Sequence, residues 1–329
     1  MSIAEKRVLD LLREFHKSNI LVIGDLILDK FIWGDVSRIS PEAPVPVVHV
    51  NNESSMPGGA ANVSCSINAL NGKTSILGVI GNDRDGRMLK KQLKRFADIK
   101  GLITDRERPT ILKTRIVARH QQLVRVDREQ IGEFSKKTTD KIISYIKNNV
   151  DSFDAIIIED YGKGVISPNL IKAVVSIAKK KNIIVTVDPK EDHFSYYKGV
   201  TCLTPNQNEA EKAIGIKIVD EASLFAAGKK FLRKLNCAAV LITRGENGMC
   251  LFEKGKKPVQ IPTRAQEVFD VSGAGDTVIG AFTLALATGA TMQEAAHISN
   301  YAAGVVVGKV GVGTCTQKEL MEKFLIQEK

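Results

Sequence analysis

The stretch of this sequence best suited to chemistry is FDVSGAGDT, residues 269–277. Three small residues, Gly273, Ala274 and Gly275, precede Asp276, and the apolar run that follows predicts a helix. The first amides of a helix lack partners within it and lie at the positive end of its dipole, so small residues there let a phosphate approach. Asp276 is then placed to take a proton from an attacking hydroxyl. The alternative is an ordinary loop in which Asp276 caps the helix.

Two carboxylates follow the first predicted strand, ILVIG at residues 20–24. These are Asp25 and Asp29. Open α/β sheets bind ligands beyond the carboxyl ends of their strands, and a carboxylate accepts hydrogen bonds from sugar hydroxyls. Simple turn chemistry is the alternative for these two residues.

A second candidate for sugar contacts is the glycine-rich stretch PGGAANVSCSINALN, residues 57–71. Gly58 and Gly59 precede a predicted helix whose first turn carries Asn62. Glycines let the backbone approach a ligand, and the Asn62 amide can both donate and accept hydrogen bonds. Taken alone, this pattern is a weak signal.

A metal or phosphate site is indicated by PNQNE, residues 205–209. Asn206 and Glu209 lie on one side of a predicted helix start, and both offer oxygen atoms suited to Mg²⁺. Gln207 and Asn208 lie between them and are candidates for nucleotide contact. Helix capping, with Glu209 as the third helical residue, is the alternative.

Two further stretches predict nucleotide contacts. Thr243, Gly245 and Gly248 form a T-x-G-x-x-G turn after a predicted strand, where backbone amides can meet a ligand. Asn300 lies in a later helix with a face of small residues that would admit a flat base. Close packing between helices explains that small face as well.

Cations cluster where a substrate phosphate could lie. Arg119 follows a predicted lid strand that also carries Arg115, and the next lid strand carries Arg125. Lys163 and Lys190 follow strands of the main sheet. Arg and Lys bind phosphate through charge-assisted hydrogen bonds. Solvated surface is the alternative for each of them.

The order of predicted elements indicates an α/β fold. Strands and helices alternate from residue 155 to residue 243, which predicts a doubly wound, mostly parallel sheet with helices on both faces. Further strands at residues 31–36 and 45–51 surround the proline-rich SPEAPVPV, and two more occupy 111–118 and 123–127. Prolines disfavour a central strand, so we predict a small β lid from segments of about 30–51 and 111–128. Residues 1–329 are expected to form one domain.

Composition limits the possible partners. The 47 Lys and Arg against 37 Asp and Glu give a net charge of +10, as expected for a basic surface or a phosphate-rich ligand. The sequence has no arginine-rich run interleaved with aromatics, so we expect no nucleic-acid partner. Five scattered cysteines favour reduced thiols and a cytoplasmic location, isolated histidines argue against zinc, and no segment resembles a signal peptide or a membrane span.

The spaced motifs resemble those of the ribokinase-like (PfkB) sugar kinases. The C-terminal motif is matched by Asp270, Gly275-Asp276 and Gly280-Ala281, and G-G-A-A-N and P-N-x-x-E match two others in the expected order, from about residue 20 to residue 315. The resemblance implies a ribokinase-like fold with a β lid, ATP and Mg²⁺ as cofactors, Asp276 as the base, and a homodimer formed through the lid. It favours magnesium held near Asn206 and Glu209, in part through water. It favours sugar contacts at Asp25, Asp29, Gly58, Gly59 and Asn62.

Two local stretches resemble one branch of that family. They are RISPEAPVPV at residues 38–47 and DYGKG at residues 160–164. The resemblance implies phosphorylation of D-glycero-D-manno-heptose 7-phosphate at the anomeric oxygen, giving the 1,7-bisphosphate for ADP-heptose and lipopolysaccharide core synthesis. Many members of the branch are fused to an adenylyltransferase with an H-x-G-H motif, which this sequence lacks. We therefore expect a stand-alone kinase, or the kinase segment of a longer protein.

Two other functions stay open at this point. One is another sugar or sugar-phosphate kinase of the same family, acting on ribose or a fructose phosphate. The other is a nucleotide or sugar sensor without catalytic activity, although Asp276 and the Asn206/Glu209 pair argue against it.

Overall fold

The computed structural model describes residues 5–119, 121–265, 268–309, 311 and 313–326. Thirteen strands are assigned within these residues: β1 (Asn19–Gly24), β2 (Leu26–Ile39), β3 (Pro46–Gly59), β4 (Lys73–Gly81), β5 (Asp98–Asp105), β6 (Ile111–Ala118), β7 (Gln121–Arg128), β8 (Ala155–Glu159), β9 (Ile184–Asp188), β10 (Cys202–Leu203), β11 (Ala239–Thr243), β12 (Met249–Glu253) and β13 (Val259–Ile261).

The same residues contain ten α-helices: α1 (Glu5–Glu14), α2 (Ala60–Ala69), α3 (Arg84–Leu93), α4 (Lys136–Asn149), α5 (Pro168–Lys181), α6 (Gln207–Ile214), α7 (Glu221–Leu235), α8 (Ala274–Ala287), α9 (Met292–Val306) and α10 (Gln317–Ile326). None of these helices is long and apolar enough to cross a membrane.

The main sheet has nine strands in the order β13-β12-β11-β10-β9-β8-β1-β4-β5. The seven strands from β11 to β5 in this order are parallel, and β12 and β13 continue the sheet in antiparallel fashion. Alternate residues of β1 point into two separate cores: Ile20 and Val22 pack with α1, α2, α8 and α9, and Leu21 and Ile23 pack with α4, α5 and α7. Because both faces are covered, the predicted doubly wound sheet is confirmed.

The second sheet has four strands in the order β3-β2-β6-β7 and forms the lid. β2 pairs antiparallel with β3 and parallel with β6, and β6 pairs antiparallel with β7. The first lid segment is longer than predicted and spans residues 26–59, and the second occupies the predicted residues 111–128. Pro41 and Pro44 lie in the β2–β3 connection and Pro46 is the first residue of β3, positions where no full ladder of hydrogen bonds is needed.

Three elements were not predicted from the sequence. These are β5, β13 and α4. α4 begins at the N-cap Ser135, whose side chain accepts a hydrogen bond from the Thr138 amide, and it buries Ile142 and Ile146. Ile142 and Ile146 are four residues apart, as expected for one face of a helix. The rest of the segment is mostly polar, so this short apolar stripe was not recognised in the sequence.

Candidate active site

Asp276 lies in the first turn of α8, and only 7% of its surface is exposed. The helix begins after Gly273, whose φ of 78° is left-handed and favours glycine. Asn62 donates a hydrogen bond to Asp276 Oδ2, and the Tyr161 hydroxyl donates one to Oδ1 over 3.1 Å. Burial raises the pKa of Asp276, whereas the two hydrogen bonds favour its charged form and lower it.

The packing of α2 against α8 brings Asn62 to Asp276. The two helices meet at Gly280, where an added Cβ would lie 3.2 Å from Ile67 Cγ1. α2 itself starts after Gly59, which has a φ of 59° and lies so close to the Asp25 carbonyl that a side chain would collide with it. The predicted glycine-rich start of α2 therefore places one hydrogen-bond donor on the candidate base.

Tyr161 reaches Asp276 from a loop that follows β8, and Asp25 holds that loop in place. The two Asp25 oxygens accept hydrogen bonds from the amides of Tyr161 (3.2 Å), Lys163 (2.9 Å) and Val165 (3.1 Å). Asp25 is fully buried, and burial raises its pKa to about 6 against the opposing effect of these amides. In this structure its carboxylate therefore faces the loop backbone.

A buried polar network supports the same loop from behind. Asp160 Oδ2 accepts a hydrogen bond from the Tyr197 hydroxyl (2.7 Å) and also pairs with His193 Nδ1 (2.8 Å). The other oxygen of Asp160, Oδ1, accepts a hydrogen bond from the Gly162 amide (2.8 Å). The Tyr197 hydroxyl in turn accepts a hydrogen bond from the Lys190 amide over 3.0 Å. The network ties the strand-end loops of β8 and β9 together.

Three carboxylates converge at the edge of the sheet. One oxygen each from Glu159, Asp188 and Asp276 lies within 4.8 Å of the others. Glu159 and Asp188 end the neighbouring strands β8 and β9 and are in register. Burial, and then the negative charges around them, raise the pKa of both groups well above their usual values. Sequence reasoning missed Glu159 and placed Asp188 at this crevice without giving it a role, although each is a polar residue at the end of a buried strand.

Asn206 and Glu209 form a reciprocal capping box at the start of α6. Asn206 Oδ1 accepts from the Glu209 amide (3.0 Å), and Glu209 Oε2 accepts from the Asn206 amide (2.9 Å). Gln207 bonds to Glu211 and to the Ile218 carbonyl, and Asn208 is exposed. Glu209 lies near enough to Asp188 for its charge to raise the pKa of Asp188. The capping interpretation is thus confirmed, and the capping box uses Oε2 of Glu209 rather than Oε1.

A cavity of about 530 Å³ opens beside the start of α8. Its walls include six residues that we predicted for nucleotide or phosphate contact: Thr243, Gly245, Gly248, Ala274, Gly275 and Asn300. Asn300 also donates a hydrogen bond to the Pro262 carbonyl over 2.7 Å, which fixes the loop after β13. Sequence reasoning did not identify the apolar wall formed by Val268, Val271 and Val307.

The predicted substrate cations lie in different surroundings. Lys163 Nζ is paired with Glu129 Oε1 at 2.6 Å, and both side chains are largely buried. The Lys190 side chain packs along Gly162. Burial raises the pKa of Glu209, and the charge of Lys190 offsets part of that rise. Arg119 is exposed in the turn after β6, with a left-handed φ of 47°.

Asp29 and Gly58 meet on the lid. Asp29 Oδ1 is paired with Arg115 Nη1, and a Cβ at Gly58 would lie 2.1 Å from Asp29 Oδ2. Glycine at position 58 is therefore what lets the Asp29 carboxylate lie against β3. The lid approaches Asp276 here, since the charge of Asp29 contributes to the raised pKa of Asp276, to which Asn62 donates its hydrogen bond.

Solved structures share this architecture. A ribokinase from Arabidopsis thaliana, complexed with ribose and ATP, superposes with a TM-score of 0.73 at 18% identity, covering 93% of this chain and 98% of that one. Phosphofructokinase-2 from Escherichia coli gives a TM-score of 0.79 at 16% identity, covering 95% and 99%. The predicted ribokinase-like fold is confirmed.

Sequence comparison identifies the family. The profile of the pfkB family carbohydrate kinases matches residues 17–319. The chain is 44% identical over 307 residues to the bifunctional protein HldE of Desulfatibacillum aliphaticivorans and 45% identical over 304 residues to that of Geobacter sulfurreducens. These matches cover 93% and 92% of this chain but only 63% and 62% of the relatives.

The chain is therefore a phosphotransferase that uses an alcohol group as acceptor. It belongs to the PfkB family of carbohydrate kinases, as its motifs predicted.

Proposed function

We propose that the protein transfers the γ-phosphoryl group of ATP to the anomeric oxygen of D-glycero-D-manno-heptose 7-phosphate. The product would be the 1,7-bisphosphate, a precursor of ADP-heptose and the lipopolysaccharide core. Heptose is proposed as the substrate because the chain is 44% to 45% identical to HldE proteins over almost its whole length. Phosphoryl transfer assisted by a general base is proposed because Asp276 is buried at the start of α8.

The proton transfer falls to Asp276. The anomeric hydroxyl gives its proton to the Asp276 carboxylate as its oxygen forms a bond to the γ-phosphorus, and the bond from that phosphorus to the bridging oxygen breaks to release ADP. Asn62 and Tyr161 hold the carboxylate in one orientation through hydrogen bonds to its two oxygens. A base fixed in this way keeps the attacking oxygen in line with the phosphate.

The nucleotide would occupy the cavity beside α8. Ala274 and Gly275 line it, so the first amides of α8 face the space where phosphates would lie. Those amides and the helix dipole stabilise the negative charge on the transferring group. The apolar wall at Val271 and Val307 suits the base of the nucleotide.

The oxygen donors next to this cavity fit a magnesium ion. Asp188 and Glu209, with Asn206 beside them, provide carboxylate and amide oxygens, the ligand type that Mg²⁺ prefers. When bound, the ion would neutralise charge on the nucleotide phosphates.

The sugar would bind between the lid and Asp276. Asp29, Gly58, Gly59 and Asn62 border this region, and Asp25 shapes it through the loop that carries Tyr161. Arg119, Lys163 and Lys190 remain candidates for contact with the substrate phosphate.

We also propose a homodimer formed through the lid. Several apolar side chains of the lid strands are exposed in the monomer: Trp33, Val50, Leu123, Val124 and Val126. Apolar surface of this kind on one sheet is expected to be covered by another protein surface, and a second copy offers the same sheet. The mass of the protein in solution, measured by light scattering, tests this.

A panel of acceptors tests the proposed function. Purified protein with ATP and Mg²⁺ is offered heptose 7-phosphate, unphosphorylated heptose, ribose and fructose 6-phosphate, and the new phosphate is located by ³¹P NMR. The proposal expects heptose 7-phosphate to be the best acceptor, with the new phosphate on the anomeric oxygen. Preferred turnover of ribose or fructose phosphate would replace the heptose assignment, and no turnover of any acceptor would favour a sensor.

A further inference from the structure

One face of the lid carries five charged side chains. β2, β6 and β7 pair so that Asp29, Lys113 and Asp127 lie side by side in one row. Arg115 follows Lys113 by two residues on β6, and Arg125 precedes Asp127 by two residues on β7. Arg115 and Arg125 are therefore opposite each other in the next row of side chains on this face of the sheet. Residues two apart on a strand point to the same face, so all five side chains share one face of the lid.

Both carboxylates on this face already have partners. Arg115 pairs with Asp29, and Arg125 Nε is 2.9 Å from Asp127 Oδ1. Lys113 lies between the two acids, yet among the residues that the structure describes no carboxylate comes within 4.0 Å of its Nζ. The face therefore holds two arginine–aspartate pairs and one lysine whose charge is not matched by a direct ion pair.

Lys113 points toward the candidate base. Its Nζ lies 5.7 Å from the centre of the Tyr161 ring, and the hydroxyl of that ring donates to Asp276. Lys163, which lies near Lys113, is paired with Glu129. The charge of Lys113 is thus presented to the space between the lid and Asp276.

The surroundings of Lys113 favour an anion. The side chain is partly buried, and burial, followed by the positive charges of Lys163 and Arg125, lowers its pKa, while the negative charges of Asp29 and Asp127 offset this effect only in part. Positive charge held in a partly desolvated position is costly unless a negative group neutralises it. A neutral sugar would leave this cost in place, whereas a phosphate would remove it.

We propose that Lys113 binds the phosphate that the acceptor sugar already carries and so determines the preference for phosphorylated sugars. This inference rests on the proposed function, because it identifies the residue that selects the acceptor. Sequence reasoning considered Arg115, Arg119, Arg125, Lys163 and Lys190 for this role but not Lys113. The structure favours Lys113 because the ion pairs of its neighbours are visible only in three dimensions.

The test compares Lys113→Met and Lys113→Arg with the wild-type protein. Lys113→Met loses a charged hydrogen bond to phosphate, so its kcat/KM for heptose 7-phosphate should fall by roughly 10- to 100-fold. Turnover of unphosphorylated heptose should change less than about threefold, and the KM for ATP should stay the same. Lys113→Arg should keep most of the preference, since it keeps the charge.

Lys30→Met is the matched control. Lys30 is on β2, the strand next to β6, but it follows Asp29 in the chain and so lies on the opposite face, where it pairs with Glu53. This variant should keep the wild-type ratio of kcat/KM values. An unchanged ratio in Lys113→Met would overturn the inference.

A second readout needs no turnover. Inorganic phosphate is titrated against the protein saturated with Mg²⁺ and a non-hydrolysable ATP analogue, and thermal unfolding is followed. Wild type and Lys30→Met should be stabilised and Lys113→Met should not. Equal stabilisation of all three contradicts the role of Lys113 whatever the acceptor is, whereas a failure of the acceptor panel alone contradicts only the heptose assignment.

Discussion

The Tyr161 hydroxyl donates a hydrogen bond to Asp276 Oδ1 over 3.1 Å, and this bond links the loop after β8 to the first turn of α8. It opposes the effect of burial, which raises the pKa of Asp276. The same tyrosine ring lies under Lys113. One side chain thus contacts both the candidate base and the residue that we assign to the substrate phosphate.

Replacing Tyr161 with Phe should change the pH dependence of the reaction. Loss of a hydrogen bond that favours the charged carboxylate raises the pKa of Asp276 further. Because the base must be deprotonated to act, the acid limb of kcat/KM against pH should move to higher pH. We also expect kcat to fall by about tenfold at neutral pH, with the ring still present beneath Lys113.

The matched control is Tyr145→Phe, which removes a phenol hydroxyl on α4, away from the site. Its pH profile should coincide with that of the wild type. A Tyr161→Phe profile with an unmoved acid limb would show that the bond to Asp276 does not tune the base.

Replacing Gly275 with Ala should impair catalysis without impairing folding. An added Cβ would lie 3.7 Å from Asp188 Oδ2, an ordinary contact, and Gly275 does not have a left-handed φ. Alanine in the first turn of a helix should therefore preserve stability or raise it by roughly 0.4–1 kcal/mol. In the complex, however, the methyl group would occupy the space through which a phosphate approaches the helix.

We therefore expect a lower kcat and weaker ATP binding for Gly275→Ala at an unchanged or higher Tm, measured by steady-state kinetics and thermal unfolding. Wild-type kinetics would indicate that no phosphate comes close to this amide.

Glu209→Gln separates the capping role of Glu209 from its proposed metal role. Glutamine also serves at the third position of a capping box, so the bond to the Asn206 amide can persist and Tm should change little. The variant loses the charge that would attract Mg²⁺. The Mg²⁺ concentration at half-maximal activity should rise several-fold, while the KM for the sugar stays the same. An unchanged Mg²⁺ requirement would leave Glu209 with the capping role alone.

Much of this site follows from short-range sequence patterns. Gly273 and Gly275 before an apolar run predicted the start of α8, and the P-N-x-x-E pattern predicted the start of α6. Buried strands followed by polar residues predicted which edge of the sheet would hold the site. Each of these patterns involves only a few neighbouring residues, so it can be recognised in the sequence alone.

The remaining features depend on contacts between distant segments. Asp25 was predicted for sugar contact from its place after β1. In the structure its oxygens accept hydrogen bonds from the amides of Tyr161, Lys163 and Val165. Lys163 meets Glu129, and Arg115 meets Asp29, across separate elements. Which charges remain unmatched, and hence the role proposed for Lys113, can be read only after these pairs are known.

The central claim is that Asp276 takes the proton of the acceptor hydroxyl, and the most direct measurement is kcat of Asp276→Asn alongside its affinity for MgATP. Asparagine keeps the size of the side chain and removes its basicity. We predict a fall in kcat of roughly 10²- to 10⁴-fold with nearly unchanged nucleotide affinity. A variant that keeps most of the wild-type kcat while binding MgATP normally would contradict the assignment of Asp276 as the base.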